Sequence, residues 1–392
     1  MDFTIPEDLK IMQEVIRKFV EKDLEPISIQ VEEEGIIPEE IVQKMRKMGL
    51  FGLPIPKEYG GLGLSTLGEI LVYEELTKAN ACFRSRIGTS NGIGSIGILM
   101  DGTESQKQKY LPRIASGEWT AAFALTEPDA GSDAANIQTI AILNGDHWII
   151  NGTKQFITNA GLAHVFTTIA VTDEVKRARG GVTAFIVEKD MPGLSVGPAN
   201  IKMGIKGSNT HEVIFSNCRV PKENVIGGQE MVGKGFSTAM RVLDKGRLSI
   251  GASALGASQK IMELCIERVR QRMIHGETAN NLQTVHFALA DMATEILAAR
   301  QMLYYASSRR DQGQNVTHEA SMVKVFCTEM ASRIAGNAMD IFETEGMLTH
   351  QRIEMFLRDV RLYRIYEGTS EIQRLIISRN LLSQKEKNEV KS

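Results

Sequence analysis

Apolar residues recur every three or four positions along the first part of the chain, which is the spacing of an amphipathic helix. The first such segment, "PEDLKIMQEVIRKFV", begins at Pro6 and carries its apolar side from Leu9 to Phe19. Gly- and Pro-rich turns such as "PIPKEYGGLGLS" separate it from later helices. Those helices are predicted in "PEEIVQKMRKMGL", "STLGEILVYEELTKA" and "ESQKQKYLPRIASG". We therefore predict an N-terminal helical domain over residues 1–120.

The pattern changes near residue 121 to short runs of β-branched and aromatic residues, which favour strands. The runs are "AAFAL", "HWIING", "TKQFITN", "HVFTTIAVT", "VTAFIVE" and "HEVIFSNCRVP". Asn-Gly pairs at 144–145 and 151–152 lie between some of these runs, and Asn-Gly is a preferred pair in two-residue hairpin turns. The pattern predicts a central β-barrel-like domain over residues 121–230.

Helical spacing returns after "GGQEMVGKG" and continues to the end of the chain. We predict helices over residues 234–274, 281–310, 316–345 and 368–382. Together they would form a C-terminal helical bundle over residues 231–392. Helices of this length favour packing against other copies of the chain, so we expect an oligomer. The fold class is thus a multidomain α and β protein with domains in the order α, β, α.

Composition excludes several classes of partner. The chain has 392 residues, of which 43% are apolar and 24% are charged, as in ordinary globular proteins. Its net charge is −3, so it lacks the basic excess of proteins that bind nucleic acid or anionic membranes. No apolar run approaches the roughly 18 residues of a membrane span. The N-terminus lacks targeting features, which favours a cytoplasmic protein, although a trimmed organellar protein would look the same.

Four cysteines are widely separated and form neither a CxxC motif nor another metal-ligand spacing. They are Cys82, Cys218, Cys265 and Cys327. We expect reduced, buried thiols, in agreement with a reducing compartment, and we predict no metal site.

The segment "YEGTSEIQR" places a single carboxylate, Glu367, directly before a predicted helix. Ser370 and Gln373 have the spacing of a capping box, so this helix is expected to begin at 369–370. One interpretation is that Glu367 only interacts with the positive end of the helix dipole. The other is that Glu367, beside the flexible Gly368, is a catalytic base held on a short loop over a pocket. The segment alone leaves both open.

Two segments of the predicted β domain have a similar ambiguity. In "LTEPDAGSD" (125–133), small residues let backbone amides approach a ligand closely, although the same residues make an ordinary surface turn. The segment "KQFITNAG" (154–161) is a strand edge followed by a turn, and in the simplest interpretation its Phe is half-buried. Neither segment identifies a function by itself.

In their order and separation, these three segments resemble those of the acyl-CoA dehydrogenase family. The resemblance covers essentially the whole chain and includes "EYGGLG" (58–63), "YLPRIASGE" (110–118), "LDKGR" (243–247), "QTVHFALADM" (283–292) and "RDVRLYRIYEGTSEIQR" (358–374). It implies an FAD-dependent enzyme that oxidises an acyl-CoA thioester and passes electrons to an electron-transfer flavoprotein. It also implies a homotetramer made of two dimers, in which each FAD reaches a neighbouring subunit.

The resemblance also implies a set of FAD contacts, transferred by motif match. In the β domain, the flavin ring and the near pyrophosphate would be held by Phe123, Leu125, Thr126, Gly131 and Ser132. The flavin would also be lined by Phe156, Ile157 and Thr158, with Phe156 where many relatives have Trp and Thr158 near N5. The contacts across the subunit boundary would come from Arg272, His275, Gln283 and Gly346. The adenosine end would meet Thr369 and Glu371.

For the reaction, the resemblance implies that Glu367 removes the α-proton of the thioester while hydride leaves the β-carbon for flavin N5. Desolvation by the bound acyl chain would raise the pKa of this carboxylate. The Glu367 amide, placed by Gly368, would donate a hydrogen bond to the thioester carbonyl. Some relatives carry the base at the position of Gly246 instead, and glycine cannot act as a base.

The segment "ACFRSRIGTSNG" bears on the identity of the acyl group, because it lines the substrate region in relatives. Arg84 and Ser85 resemble a pair in the glutaryl-CoA dehydrogenase branch, where the Arg receives a distal carboxylate. Arg86 aligns with an Arg of a sulfinate-carrying branch. In the alternative interpretation both arginines face solvent or pair with Glu74 or Glu75. The substrate is then either a short acyl-CoA with a distal anion or a plain short or branched acyl-CoA.

The CoA side carries its own matches. Asp244 and Arg247 match the family's D-x-x-R pattern, and Ser132 would touch CoA as well as flavin. Acyl carrier protein could replace CoA, as in some biosynthetic relatives, and no residue excludes it. Thr77 stands where some glutaryl relatives have Glu, which leaves decarboxylation after the oxidation open.

Two departures from the family pattern fall on the predicted FAD contact between subunits. The usual Gly-Gly-x-Gly is "FETEG" (342–346), which keeps Gly346 and adds Glu343 and Glu345. The usual Arg-x-x-Phe-Gly is "RMIHG", with His275 for Phe. We expect altered or weakened binding of the adenosine part of FAD. An oxidase, an enzyme acting in the reductive direction and a non-catalytic flavin- or acyl-binding protein are the alternatives.

Overall fold

The N-terminal part of the protein is helical, as predicted. The computed structural model describes residues 5–274, 277–278 and 282–389. The N-terminal helices are α1 (Glu7–Phe19), α2 (Ser28–Glu34), α3 (Glu39–Lys47), α4 (Thr66–Ala79), α5 (Ala81–Asn91), α6 (Ile96–Asp101) and α7 (Glu104–Ala115). The sequence pattern does not predict α5, because nearly all of its residues are buried and it therefore lacks an apolar stripe.

The central part is one curled seven-stranded sheet, which confirms the predicted β domain. Its strands are β1 (Ala121–Ala124), β2 (Ile140–Asn144), β3 (His147–Thr158), β4 (Val165–Val171), β5 (Val182–Glu188), β6 (Leu194–Ala199) and β7 (Thr210–Pro221). The order is β1-β4-β2-β3-β7-β6, and β5 pairs with β4. Strand β1 runs parallel to β4, while β3 and β7 form a long antiparallel pair.

One turn prediction is wrong and one holds. Asn144 ends β2 and pairs with His147, and Gly145 lies with Asp146 in the two-residue hairpin turn between β2 and β3. Asn151–Gly152 instead lies inside β3, so "HWIING" and "TKQFITN" belong to one strand. Gly152 sits at a register shift opposite β7, where a Cβ atom would come 2.7 Å from the Cα of Thr139. The glycine therefore permits a close backbone approach at a bulge and makes no turn.

The C-terminal part is again helical. Its elements are α8 (Gly235–Gln271), the short strands β8 (Met273–Ile274) and β9 (Glu277–Thr278), α9 (Gln283–Asp311), α10 (Thr317–Phe342), α11 (Ile353–Tyr363) and α12 (Ser370–Glu389). Helix α11 is absent from the sequence prediction. Helix α8 approaches α4 closely because Gly256 leaves room for the backbone of Glu74.

The N-terminal and C-terminal helices share one apolar core, whereas the sheet has apolar clusters of its own. Consequently α4, α5, α8, α10 and α11 are held together at the centre of the helical part. The four cysteines are buried and free. In the described part of the chain, no helix has the length and apolarity to cross a membrane. The same residues contain no group of His, Cys, Asp and Glu suited to a metal ion.

Candidate active site

Glu367 lies on the loop that joins α11 to α12, residues 364–369, which we call the Glu367 loop. Its backbone is left-handed at Glu367 (φ 55°) and at Gly368 (φ 89°). Such a conformation is unfavourable for a glutamate and needs support from neighbours. Lys324 Nζ donates a hydrogen bond to the Gly368 carbonyl oxygen at 2.7 Å. Gln373 Nε2 donates to the carbonyl oxygens of Glu367 and Gly368 at 3.2 and 3.3 Å.

The predicted capping box is therefore wrong in detail, although α12 begins where expected. The hydroxyl that caps the helix belongs to Thr369, whose Oγ1 accepts a hydrogen bond from the Ile372 amide at 3.3 Å. Gln373 serves the Glu367 loop instead. Thr369 caps α12 and Gln373 of the same helix turn holds the Glu367 loop, so the helix start and the loop are structurally linked.

The side chain of Glu367 points against Gly246 of α8. A methyl group built on Gly246 would overlap Glu367 Oε2 and lie 2.6 Å from Cδ. Oε2 is buried and makes no hydrogen bond to any described residue. Burial raises the pKa of the Glu367 carboxyl, against the opposing influence of Arg84, Lys324 and Arg247. A carboxylate with a raised pKa and a free oxygen is well suited to accept a proton.

Three cations from different helices face Glu367. Arg84 comes from α5, Arg247 from α8 and Lys324 from α10. Arg247 Nη1 donates to Asp244 at 2.5 Å, and that carboxylate also accepts from Thr317 Oγ1 at 2.7 Å. The D-x-x-R pair is thus an ion pair within one helical turn. Burial lowers the pKa of Arg247.

Arg84 and Arg86 are both only 8% exposed, but they point to different surroundings. Arg84 Nη2 donates to Ser249 Oγ, and its guanidinium lies 5.2 Å from the ring centre of Tyr73. Arg86 donates to Thr120 Oγ1 at 3.2 Å and stacks 5.0 Å from the ring centre of Phe51. Burial lowers the pKa of Arg86 to about 10. Only Arg84 belongs to the Glu367 surroundings.

The alternative that these arginines face solvent or pair with acidic residues of α4 is wrong. Glu74 binds Arg300 and Tyr304, each at 2.9 Å. Glu75 is occupied by the N-terminal helix and by Lys78 at 2.8 Å. Among the described residues, Arg84 has no ion pair with a carboxylate. Its Nε is also buried without a hydrogen-bond partner in that part of the chain.

The two segments predicted to hold the flavin ring lie side by side. The Gln155 amide donates to the Thr126 carbonyl oxygen at 2.8 Å. Lys154 Nζ, which is fully buried, donates to the Leu125 carbonyl oxygen at 3.0 Å and to Glu127 at 2.8 Å. Burial lowers the pKa of Lys154 to about 8. A buried ion pair therefore ties the segment after β1 to β3.

This surface leaves one large apolar ring uncovered. Phe156 is 58% exposed and has a left-handed backbone (φ 58°), whereas Ile157 beside it is buried. Thr158 pairs with Thr210 of β7. Phe123 and Leu125 are buried, and Gly131 and Ser132 are exposed on the connection after β1. A Cβ on Gly131 would meet no described atom within 4 Å.

Asn159, at the end of β3, connects this surface to α5. Its Nδ2 donates to the Ser85 carbonyl oxygen at 3.1 Å and to Thr89 Oγ1 at 2.8 Å. The Ser85 hydroxyl donates within its own helix, to the Ala81 carbonyl oxygen at 3.0 Å. The helix that carries Arg84 is thus fixed to the strand that carries Phe156.

The residues predicted for the cross-subunit FAD contact lie away from this cluster, near the C-terminal ends of α8 and α10. Arg272 donates to Glu343 at 2.5 Å and to the Ile341 carbonyl oxygen at 3.1 Å. Arg268 pairs with Glu345 at 2.9 Å. Gly346 is buried in the same segment, and Gln283 is exposed at the start of α9. His275 lies outside the described residues.

Comparison with known proteins settles the family. An acyl-CoA dehydrogenase of Bacillus subtilis (strain 168) is 40% identical over 378 residues, which cover 96% of this chain and 99% of the relative. Family models for the acyl-CoA dehydrogenase N-terminal, middle and C-terminal domains match residues 6–118, 122–218 and 233–382. The chain belongs to the acyl-CoA dehydrogenase family. As a member, it is an FAD-dependent oxidoreductase.

Two solved structures of this family are closely similar in fold. Butyryl-CoA dehydrogenase from Megasphaera elsdenii has a TM-score of 0.94 and 35% identity, over 97% of this chain and 100% of that chain. A glutaryl-coenzyme A dehydrogenase in complex with glutaryl-CoA has a TM-score of 0.92 and 32% identity, over 98% and 97%. Dehydrogenases of a plain and of a carboxylated short acyl group are therefore both similar to this chain.

The residues fit FAD at the ring end of the expected site. The exposed ring of Phe156 and the uncrowded Gly131 offer an apolar wall and an open backbone. The fit is poorer at the pyrophosphate end, because Arg272 already binds Glu343. Thr369 uses its hydroxyl as a helix cap, and Glu371 is exposed on the first turn of α12.

Sequence reasoning missed Lys324, Lys154 and Ser249. Lys324 had a usable signal, because "ASMVKVFC" places a lysine on the side of α10 that also carries Ala320, Val323 and Cys327. A lysine at a core position needs a specific partner. Ser249 had no such signal, since its role depends on Arg84 crossing from α5 to α8.

Proposed function

We propose that the protein oxidises a short acyl-CoA thioester that carries a distal anionic group, with Glu367 as the base for the α-proton. The observation that carries this proposal is the pairing of two buried groups in one pocket. One is the carboxylate of Glu367, held against Gly246. The other is the guanidinium of Arg84, which has no carboxylate partner among the described residues.

The chain's own groups account for the proton transfer. Substrate bound between Phe156 and Glu367 would place its α-carbon at Glu367 Oε2, the oxygen without a hydrogen bond. Because burial raises the pKa of Glu367, this carboxylate is a stronger base than one in water. The amide of Glu367 would stabilise negative charge on the thioester oxygen. Bound FAD would supply the acceptor for the hydride that leaves the β-carbon.

The distal anion is proposed from the electrostatics of Arg84. A buried guanidinium without an anion is unfavourable, and a bidentate carboxylate is its best complement. Arg84 stands over Tyr73 and against Ser249, so an anion there would gain a hydroxyl neighbour as well. Two further tyrosines, Tyr363 and Tyr366, lie close enough for their pKa values to respond to Arg84. The polar surroundings of Arg84 therefore suit a charged acyl terminus better than a plain alkyl chain.

The proposed partners follow from the family and from the surface. Electrons would pass to an electron-transfer flavoprotein, and CoA would lie along Ser132, Asp244 and Arg247. A homotetramer is supported by α9, which exposes Phe287 and Leu297, because large exposed apolar side chains favour burial between copies. Sedimentation of the purified protein measures this assembly directly.

The experiment is an anaerobic titration of the purified FAD-loaded protein with glutaryl-CoA and, separately, with butyryl-CoA. We expect fast bleaching of the flavin band by glutaryl-CoA. Arg84→Met should abolish the preference for glutaryl-CoA, whereas Arg86→Met is the matched control, since it removes an equally buried arginine of the same helix. Glu367→Gln should slow bleaching by about a thousandfold or more with either substrate.

The outcomes separate the two parts of the proposal. Bleaching by butyryl-CoA alone would contradict the anionic substrate and leave a plain short-chain dehydrogenase. Full activity in Glu367→Gln would overturn the assignment of the base. A flavin band that never forms on addition of FAD would contradict the catalytic function itself.

A further inference from the structure

Lys324 is a fully buried cation that touches the Glu367 loop and has no assigned role. It is 0% exposed and lies on α10 among apolar neighbours. Its ammonium group donates to the Gly368 carbonyl oxygen at 2.7 Å. Lysine is rarely buried in this way without a partner of opposite charge. The contact therefore calls for a functional explanation.

The carboxylates near Lys324 are Glu367, Glu329 and Glu371. Glu329 is already paired with Arg364 at 3.0 Å, and Glu371 is exposed on the surface of α12. Glu367, whose Oε2 is buried, has no ion pair to a described residue. The charge of Lys324 therefore acts mainly on Glu367, whose loop it also contacts.

The geometry of the loop does not by itself require a charged donor. Gln373, which is also 0% exposed, donates to the same Gly368 carbonyl and additionally to that of Glu367. A neutral amide thus holds the left-handed backbone from one side. Lys324 adds a charge-assisted hydrogen bond to the Gly368 carbonyl, which is stronger than that of the amide and also favours the ionised carboxylate of Glu367.

We propose that Lys324 is a positioning residue for Glu367, fixing the Gly368 carbonyl and keeping the Glu367 carboxylate ionised in its buried pocket. The proposal rests on the proposed function of Glu367 as the base. It assigns to Lys324 an electrostatic role that Gln373 cannot share. Arg84 is reserved for the substrate in this scheme, and Arg247 is neutralised by Asp244.

The charge of Lys324 makes its effect dependent on pH. The groups that face Glu367 are Arg84, Arg247 and Lys324, with Tyr73 and Tyr366 beside them. Burial lowers the pKa of Lys324 to about 8, although the neighbouring carboxylates oppose this. Below that pH the ammonium lowers the pKa of Glu367, and above it the effect is lost. Removing the charge of Lys324 should therefore affect the rate most on the acidic side of the pH profile.

The test compares pH profiles of kcat and kcat/KM for four variants of the FAD-loaded enzyme. Lys324→Gln keeps a donor without charge, Lys324→Met removes both, and Lys324→Arg keeps the charge. Gln373→Met is the matched control, because it removes a buried neutral donor to the same carbonyl. We expect Lys324→Gln and Lys324→Met to shift the acidic limb upward by about one pH unit.

In Lys324→Arg, the acidic limb of the pH profile should stay at its wild-type position. Gln373→Met should lower the rate without moving this limb. Wild-type and Lys324→Gln rates should converge above the pKa of Lys324. A limb that stays in place in Lys324→Gln and Lys324→Met would overturn the proposal. If wild type does not turn over, or if Glu367→Gln remains active, the proposed function fails instead, so the two failures are distinguishable.

A second measurement needs no turnover. In a double-mutant cycle of Lys324→Gln and Glu367→Gln, the unfolding midpoint of the double variant should exceed the value expected from adding the single effects. The reason is that Glu367 without its cation is a less favourable buried charge, so its removal is then more stabilising. The excess should shrink above the pKa of Lys324. Additive midpoints at neutral pH would contradict the coupling, even if a Lys324→Met variant fails to fold.

Discussion

Two charged regions of this molecule differ in how strongly their charges interact. The Glu367 pocket, formed by Glu367, Gly246, Arg84, Arg247 and Lys324, is largely buried. The helix-end pairs, Arg268–Glu345 and Arg272–Glu343, are partly exposed at the ends of α8 and α10. In the pocket, each charge has a defined neighbour and little water to replace it, so a change in one group affects the others. At the helix ends, water and salt screen the charges.

The expected family pattern is kept in the first region and departs in the second. Glu343 and Thr344 stand at the first two glycines of the Gly-Gly-x-Gly pattern, and Glu345 stands at its variable position. Each of the two glutamates pairs with an arginine. Glu343 even accepts a left-handed backbone (φ 53°), which is a sign that the position suits glycine. In the Glu367 pocket, a side chain in place of Gly246 would overlap Glu367 directly. We therefore expect the departures to change the affinity for the cofactor more than the chemistry.

Among the changes that test this comparison, the largest effect is expected for Gly246→Ala. Its methyl group would overlap Glu367 Oε2, so the carboxylate must leave its position. We expect kcat to fall by about a hundredfold or more, since a misplaced base loses most of its advantage. Stopped-flow reduction of the flavin by the acyl-CoA substrate measures this.

Gly336→Ala is the matched control for that change. Gly336 also lies in a long helix, but a Cβ there meets no described atom within 4 Å. Activity should persist, and the helix should gain stability of up to about 1 kcal/mol.

Combining Gly246→Glu with Glu367→Gly should recover part of the lost rate, because a carboxylate at position 246 would reach the space that the Glu367 carboxylate occupies. A Gly246→Ala enzyme with wild-type activity would show that the Glu367 carboxylate tolerates displacement and that its position is not tightly constrained.

The next effect concerns the buried ion pair of Lys154 and Glu127, which lies beside the residues predicted to contact the flavin. Lys154→Met leaves Glu127 buried without its cation, and such a loss destabilises proteins by about 3–5 kcal/mol. Urea unfolding of the variant measures the change. The matched control is Arg333→Met, which breaks the exposed pair with Glu295 and should change the free energy of unfolding by less than about 1 kcal/mol. Equal effects would remove the distinction between buried and exposed pairs.

The sequence predicts the order of domains, the sheet and most of the long helices, because these depend on local spacing of apolar residues. It fails for α5, whose burial on all sides removes the stripe, and for Gly152, where the same dipeptide makes a bulge instead of a turn. Both failures have one cause. Tertiary neighbours, which the local pattern does not contain, decide the outcome.

The candidate site divides in the same way. A family motif is enough to single out Glu367, and Arg84 is found from the resemblance to one branch. The contact between Glu367 and Gly246 joins residues more than a hundred positions apart, and only the fold brings them together. The separation of Arg84 from Arg86 is likewise invisible in the sequence, since both are buried arginines of one helix turn.

A smaller effect is expected for Glu343→Gly. The change frees Arg272 from its ion pair and removes a negative charge near the predicted path of the FAD pyrophosphate. We expect the dissociation constant of FAD to fall by about two- to fivefold, the range that exposed charge pairs contribute. Flavin fluorescence titration measures it, and the gain should diminish at high salt. An unchanged constant would indicate that Arg272 does not meet the cofactor.

The smallest effect is expected for Glu345→Gln, which removes the charge opposite Arg268. Arg268 keeps a second support, because its guanidinium also lies 5.9 Å from the ring centre of Phe342. The free energy of unfolding should therefore change by less than about 1 kcal/mol, as for other partly exposed pairs. Urea unfolding at low and high salt checks this, and the difference between the two should itself be small. A loss above about 2 kcal/mol would mean that the ends of α8 and α10 unfold together with the buried core, and the two regions would then no longer differ in this respect.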